Sequence, residues 1–320
     1  MFATASPLLI GGFVVLPALL GAGLVLAGEW AGRRLGESPA TRRRWAIGTG
    51  LGVLLWLGLS VVAAASGVLR RLDMTPPPFA WLVLAIIAVG ILVPCSSLGT
   101  RLIRGLPLAA LVGYQVFRFP LELLMHRAYV EGVMPVQMSY SGWNFDILTG
   151  ISAGVLGVAL LRWNVPRFIV HVWNVAGFAL LVNIVTIAVV STPAFGWFGR
   201  DRLNVWVTYP PFVWLPAVMV TAALMGHLLV WRTLGSARAP RRHAMRPLRC
   251  SSPRLLISIW LVVSLACAAC VAIAVPTAPG VHRRGDEDRR DVVPSGTGAA
   301  RDRLQRALRR AHGALASLAA

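Results

Sequence analysis

The stretch FRFPLELLMHR, residues 117–127, places Arg118, Glu122 and His126 four residues apart in an otherwise apolar run. Four helical residues rise ~6 Å and overshoot a full turn by ~40°. The three side chains therefore share one helix face along ~12 Å. A guanidinium, a carboxylate and an imidazole so placed can pair, relay a proton or hold a charged ligand. Arg118 and Glu122 have the spacing of an i,i+4 ion pair, and Gln115 and Tyr129 extend the face. Pro120 lacks a backbone donor and frees the carbonyl of Val116. Broken backbone at membrane depth is tolerated where it lines a cavity or a site.

A second polar stretch is SGWNFDILTG, residues 141–150. Asn144 fits a helix N-cap with Asp146 in the first turn, where negative charge is favoured. Alternatively, Asn144 and Asp146 converge with Glu122 and His126 as an outward-facing polar pocket. Further on, His171 and His227 fall at matching depths of two later apolar spans. Two neutral imidazoles can ligate haem or a metal or relay protons; hydrogen-bonded structural histidines are the preferred reading. Asn174 and Asn183 are expected to bond between helices. The sequence contains no GxSxG, HExxH, Walker or Rossmann pattern. Glu122 and His126 alone make a poor metal site. No catalytic residue, resident metal or cofactor is expected.

The elements that must position these groups are membrane helices. The chain is 57% hydrophobic and 13% charged, against about 25% charged in soluble domains. Apolar spans are read at about 8–28, 45–69, 79–99, 107–130, 146–161, 168–191, 209–231 and 255–275, most near the ~20 residues that cross a bilayer. The N-terminus has no basic region ahead of its apolar run and reads as a first membrane helix. Gly48 and Gly52 are read as a small-residue helix contact. Pro210 and Pro211 suit a helix start, Pro216 is expected to kink the helix, and Tyr209 and Trp214 fit an interfacial belt.

The net charge of +19 is carried by arginine alone. Its placement in loops argues against nucleic acid and for orientation in a bilayer. Loops after spans 1, 3, 5 and 7 hold 16 arginines. The opposite loops hold Arg70, Arg71, Arg200 and Arg202, with Arg127 at a helix end. Arginine-rich loops are cytoplasmic, so the N-terminus should face out, provided that span 4 crosses completely. The expected fold is an all-α polytopic bundle. Residues 1–236 form seven core helices, 237–254 a basic cytoplasmic linker, 255–275 an eighth helix or an appended segment, and 276–320 a charged tail. Within the tail, 299–318 carries leucines on one face and arginines opposite, suiting a surface-lying or a solvated helix. The cysteines at 95, 250, 267 and 270 show no disulfide or zinc spacing; those in apolar runs read as small packing residues.

The motifs QVFRFPLELLMH (115–126), GWNFDILTG (142–150), WNVAGFALLVN (173–183) and YPPFVWLPAVMV with the later His227 together resemble a family of bacterial multi-helix integral membrane proteins of unassigned function. The resemblance covers about 115–231. It implies that Arg118, Glu122, His126, Asn144, Asp146 and His227 are motif positions, and that the chain lies in the bacterial cytoplasmic membrane. Ser141 stands where an acidic residue is expected, and the chain beyond the seventh helix is an extension. Three functions remain open. The first is a small-solute or ion-coupled transporter, or a small-molecule receptor, in which Glu122 or Asp146 carries a proton or cation and Arg118 holds a carboxylate. The second is an accessory subunit, and the third an intramembrane acid–base or metal enzyme using Glu122, His126 and Asp146. The expected partners are the lipid bilayer and a small molecule or ion.

Overall fold

The computed structural model describes residues 5–71, 73–74 and 76–236. The basic linker, the eighth span, the tail and Cys250, Cys267 and Cys270 lie outside the described residues. The fold is an all-α bundle of up-and-down helices. Six helical segments are long and apolar enough to cross a membrane.

The first two helices share a start signal. Ser6 precedes Pro7 and Ser38 precedes Pro39, and each serine accepts a hydrogen bond from a backbone N–H three residues on. Proline at the first helical position gives up a donor that has no partner there. These helices are α1 (Pro7–Arg34) and α2 (Pro39–Ala65). The helix α3 (Pro78–Cys95) ends sooner than the expected 79–99. Ser96 is extended, and its hydroxyl accepts from the N–H groups of Leu98 and Gly99. That cap starts a separate helix, α4 (Ser97–Gly105), which carries the buried Arg101.

The fourth span runs from α5 (Leu108–Gly113) through a 3₁₀ turn at Tyr114–Phe117 into α6 (Arg118–Val130). The tightened turn sits where Pro120 cannot donate to Val116. Of the six membrane-length segments this is the most buried, so its polar face meets other helices. The short helix α7 (Ile147–Arg162) has 16 residues, about 24 Å. It lies against α5 and α6. The helix α8 (Arg167–Val190) packs on α7 and on α9 (Thr221–Ser236).

The seventh span begins later than the expected 209. Trp206–Thr208 is a 3₁₀ turn and Tyr209 is extended, as a residue before proline tends to be. The helix opens as a π turn at Leu215–Val220 that continues as α9. Pro216 lies in that first wide turn, so it shapes the helix start and does not kink the middle.

Both ends of the bundle are tied by side chains. At one end Arg101 donates to Glu37, and Arg232 to Thr100. Arg167 there caps the carbonyl of Leu234. At the other end Ser6 donates to Glu131 through its backbone N–H and its hydroxyl, and Gln137 donates to Ser191 and to the carbonyl of Arg202. The Ser6–Glu131 contact brings the C-terminal end of α6 to the start of α1, so residues 108–130 run the length of the bundle. The arginine-rich loops of α1–α2, α3–α5 and α7–α8 gather at the first end.

Two packing expectations fail. A side chain at Gly48 or Gly52 would meet nothing within 4 Å; both line an open apolar groove of about 640 Å³ that α1 and α2 share with α4, α5, α6 and α9. Cys95, read as an apolar packing residue, is exposed.

Candidate functional site

The central polar cluster is built from four segments. Arg118 and Glu122 come from α6, Asn144 and Asp146 from the loop entering α7, Asn174 from α8, and His227 from α9. None is more than 4% exposed. Two glycines permit the approach. A Cβ on Gly150 would lie 2.9 Å from the Cα of Phe119, so only glycine lets α7 seat this closely on α6. A Cβ on Gly226 would take the place of the Tyr114 hydroxyl and the Gln115 amide. Those groups donate to the carbonyls of Ala222 and Ala223, Gln115 at 3.0 Å, and lock α9 against the 3₁₀ turn.

Arg118 does not pair with Glu122, as its i,i+4 spacing suggested. Its Nε donates to Asp146 Oδ2 at 2.6 Å, and its Nη2 lies 2.5 Å from Oδ1. A carboxylate facing the guanidinium edge from another element makes two contacts, which a neighbour on the same helix cannot match. The remaining Nη1 is 2.9 Å from His227 Nε2. A guanidinium has only donors, so His227 Nε2 is the acceptor and its proton sits on Nδ1. This assignment fits the other side of the ring, where Nδ1 lies 2.9 Å from Asn174 Oδ1, while Asn174 Nδ2 donates to the His227 carbonyl at 3.1 Å. His227 is therefore a neutral imidazole. The Nε–Nη2 edge of Arg118 is taken by Asp146, so a ligand carboxylate would have to compete with that residue for it.

Asn144 is not an N-cap. Asp146 occupies that position of α7 without a side-chain cap bond. Asn144 Nδ2 donates to Glu122 Oε2 at 2.7 Å and to the Met138 carbonyl at 3.0 Å, and its Oδ1 accepts from the Asp146 N–H at 3.1 Å. Asn144 thus links the Glu122 carboxyl to the Asp146 backbone, and the structure brings Glu122, Asn144 and Asp146 together in the bundle interior. His126 stands apart. It is half-buried, stacks on Tyr140 with ring centroids 4.3 Å apart, and lies 3.3 Å from Ser141 Oγ. His171 is exposed, while both ring nitrogens of His227 are engaged, so the two do not form a haem or metal pair. Among the described residues, no group of three or more His, Cys, Asp or Glu side chains could hold a metal ion. Asn174 and Asn183 do bond between elements, Asn183 to the Trp143 carbonyl.

A cavity of about 350 Å³ lies beside the cluster, bordered by α3, α6, α8 and the start of α9. Arg118, Glu122 and Asp146 are the charged side chains on its wall, and the rest is almost wholly apolar. The sequence reading did not find the cavity residues, such as Phe178, Met125 and Met138. They look like ordinary core positions, and only the helix arrangement shows the gap between them. Gly226 and Gly150 were also missed; their only sequence signal is adjacency to His227 and spacing from Asp146.

The charges sum simply. Arg118 and Asp146 cancel, and His227 is neutral. Glu122 has one neutral hydrogen-bond donor and no ion-pair partner among the described residues. No protein-family model, curated protein or solved structure matches the chain.

Proposed function

We propose that the chain is a multi-pass protein of the bacterial cytoplasmic membrane, N-terminus outside, that binds a small solute or ion as a carrier or receptor. Its site is the cavity beside α6, and Glu122 is the group that exchanges a proton. The observation carrying this reading is the uncompensated carboxyl of Glu122 on a cavity wall. An isolated buried carboxylate is strongly disfavoured, so the group holds a proton or a bound cation. The segments that carry the resemblance to bacterial membrane proteins supply every member of the cluster. The arginine-rich end of the bundle faces the cytoplasm on the same charge rule. His126, one turn from Glu122 toward the loop end, gives the proton a route to water.

A hydrophobic carbodiimide tests this, because it attacks a carboxyl that is protonated in an apolar setting. Mass spectrometry should find the adduct on Glu122 and not on Asp146, whose charge is held by Arg118. Raising the pH should suppress it, and Glu122→Gln should abolish it. Labelling of Asp146 in place of Glu122, or of neither, would count against the proposal.

A second reading is favoured by the Arg118 cluster, in which α6, α9 and the loop before α7 meet at one guanidinium and α8 joins through Asn174 and His227. An accessory subunit would use the cluster only to join helices. It predicts that a Glu122→Gln variant keeps every function of the parent chain.

A further inference from the structure

We propose that the cavity takes a lipophilic cation from the bilayer in exchange for the Glu122 proton. This deepens the reading above and rests on it. Three observations set the class of ligand. First, the cavity opens sideways. Ile87 and Ile91 of α3 and Val182 of α8 line it and are also exposed on the bundle surface. Residues that are both wall and surface mark a mouth, and these lie along α3 and α8 away from the loops. Entry is therefore from the hydrocarbon, which admits apolar and amphipathic molecules.

Second, the cavity carries an uncompensated acid. Arg118 is spent on Asp146 and His227, so the free charge on the wall is that of Glu122. Of its two oxygens, Oε2 is held by Asn144, while no hydrogen bond among the described residues reaches Oε1. A cation completes this site; an anion would have to share Arg118 with Asp146 and would face the Glu122 carboxyl across the same wall. Third, Phe117 and Phe178 lie in the wall, and aromatic faces attract cations, most strongly where water is excluded. The volume of about 350 Å³ falls within the ~300–1,000 Å³ of small-molecule pockets.

The exchange balances without a redox step. The Glu122 O–H bond breaks, the proton leaves for water past His126, and the carboxylate oxygen pairs with the entering cation. No other bond changes.

Tetraphenylphosphonium and tetraphenylborate have matched shape and opposite charge, and make a controlled test on the purified full-length protein in lipid nanodiscs. The phosphonium should bind saturably and release one proton per ion. Its affinity should fall about tenfold or more in Glu122→Gln, which keeps the Asn144 bond. The borate should show no difference between parent and variant. Ile87→Trp, at the mouth, should weaken phosphonium binding without disturbing the Glu122 carboxyl. Equal phosphonium binding by parent and Glu122→Gln, or saturable binding of the borate, overturns the proposal. If carbodiimide labels Glu122 but the phosphonium does not bind, the ligand class falls while the proton-exchanging carboxyl stands. If Glu122 is not labelled either, both fall.

Discussion

Arg118 is the residue on which the cluster closes, and its energetics follow from burial. A buried ion pair gives little net stability, because desolvation offsets attraction. Removing one partner is different, since it strands a charge. Arg118→Leu should therefore destabilise the bundle by about 3–5 kcal/mol, read as a fall in detergent-solubilised melting temperature. The double variant Arg118→Leu with Asp146→Leu should recover much of that loss, because it leaves no buried charge unpaired. The same double change made at Arg118 and Glu122 should not recover it, since Asp146 would remain stranded. This pairing was not legible at the level of residue types. The i,i+4 spacing pointed to Glu122, and only the path of the loop before α7 brings Asp146 to the guanidinium.

At the scale of elements, α7 explains how a 16-residue helix holds its place. Its buried face is Thr149, Gly150, Ala153 and Gly157, and a Cβ on Gly157 would stand 3.0 Å from the Cα of Gly113. Small residues let backbones approach where lipid supplies no hydrophobic drive between helices. Gly150→Ala should push α7 off α6 and carry Asp146 with it, at a cost of about 1–3 kcal/mol. The loss should appear in thermal unfolding, together with faster carbodiimide attack on Asp146. Helix existence was legible in the sequence because apolar runs near ~20 residues are a strong signal. Helix starts were less so. Pro210 and Pro211 resemble a start signal, yet the chain stays extended at Tyr209 and opens its helix at Leu215. The polar face of the fourth span was legible from i+4 spacing; what it meets was not, because the partners of Arg118 and Glu122 lie on other elements, 22 to 109 residues away, and leave no local trace.

At the scale of the whole molecule, the arginine-rich end is stabilised by charge and should respond to pH. Glu37, in the loop between α1 and α2, accepts from Arg101 Nε at 2.9 Å and Nη2 at 2.7 Å. The hydrogen bond from Arg101 holds the Glu37 carboxyl below the usual glutamate range. Its contribution is therefore complete above that range and is lost as pH falls through it and below. The parent protein should lose melting temperature on acidification. Glu37→Gln should melt lower at neutral pH and show a flatter acid limb. The arginine tally foretold this clustering of loops, because charge asymmetry is a property of the chain's order and needs no tertiary detail. The cavity is the reverse case, since it exists only between helices that are each unremarkable alone.

The most direct test is the infrared spectrum of the purified protein at neutral pH, parent minus Glu122→Gln. A protonated carboxylic acid shows a carbonyl stretch well separated from the bands of an ionised carboxylate. The account predicts such a band in the parent, lost in Glu122→Gln, retained in Asp146→Asn and diminished when tetraphenylphosphonium is added. A parent spectrum with only ionised carboxylate at this position, unchanged by the phosphonium, would contradict it.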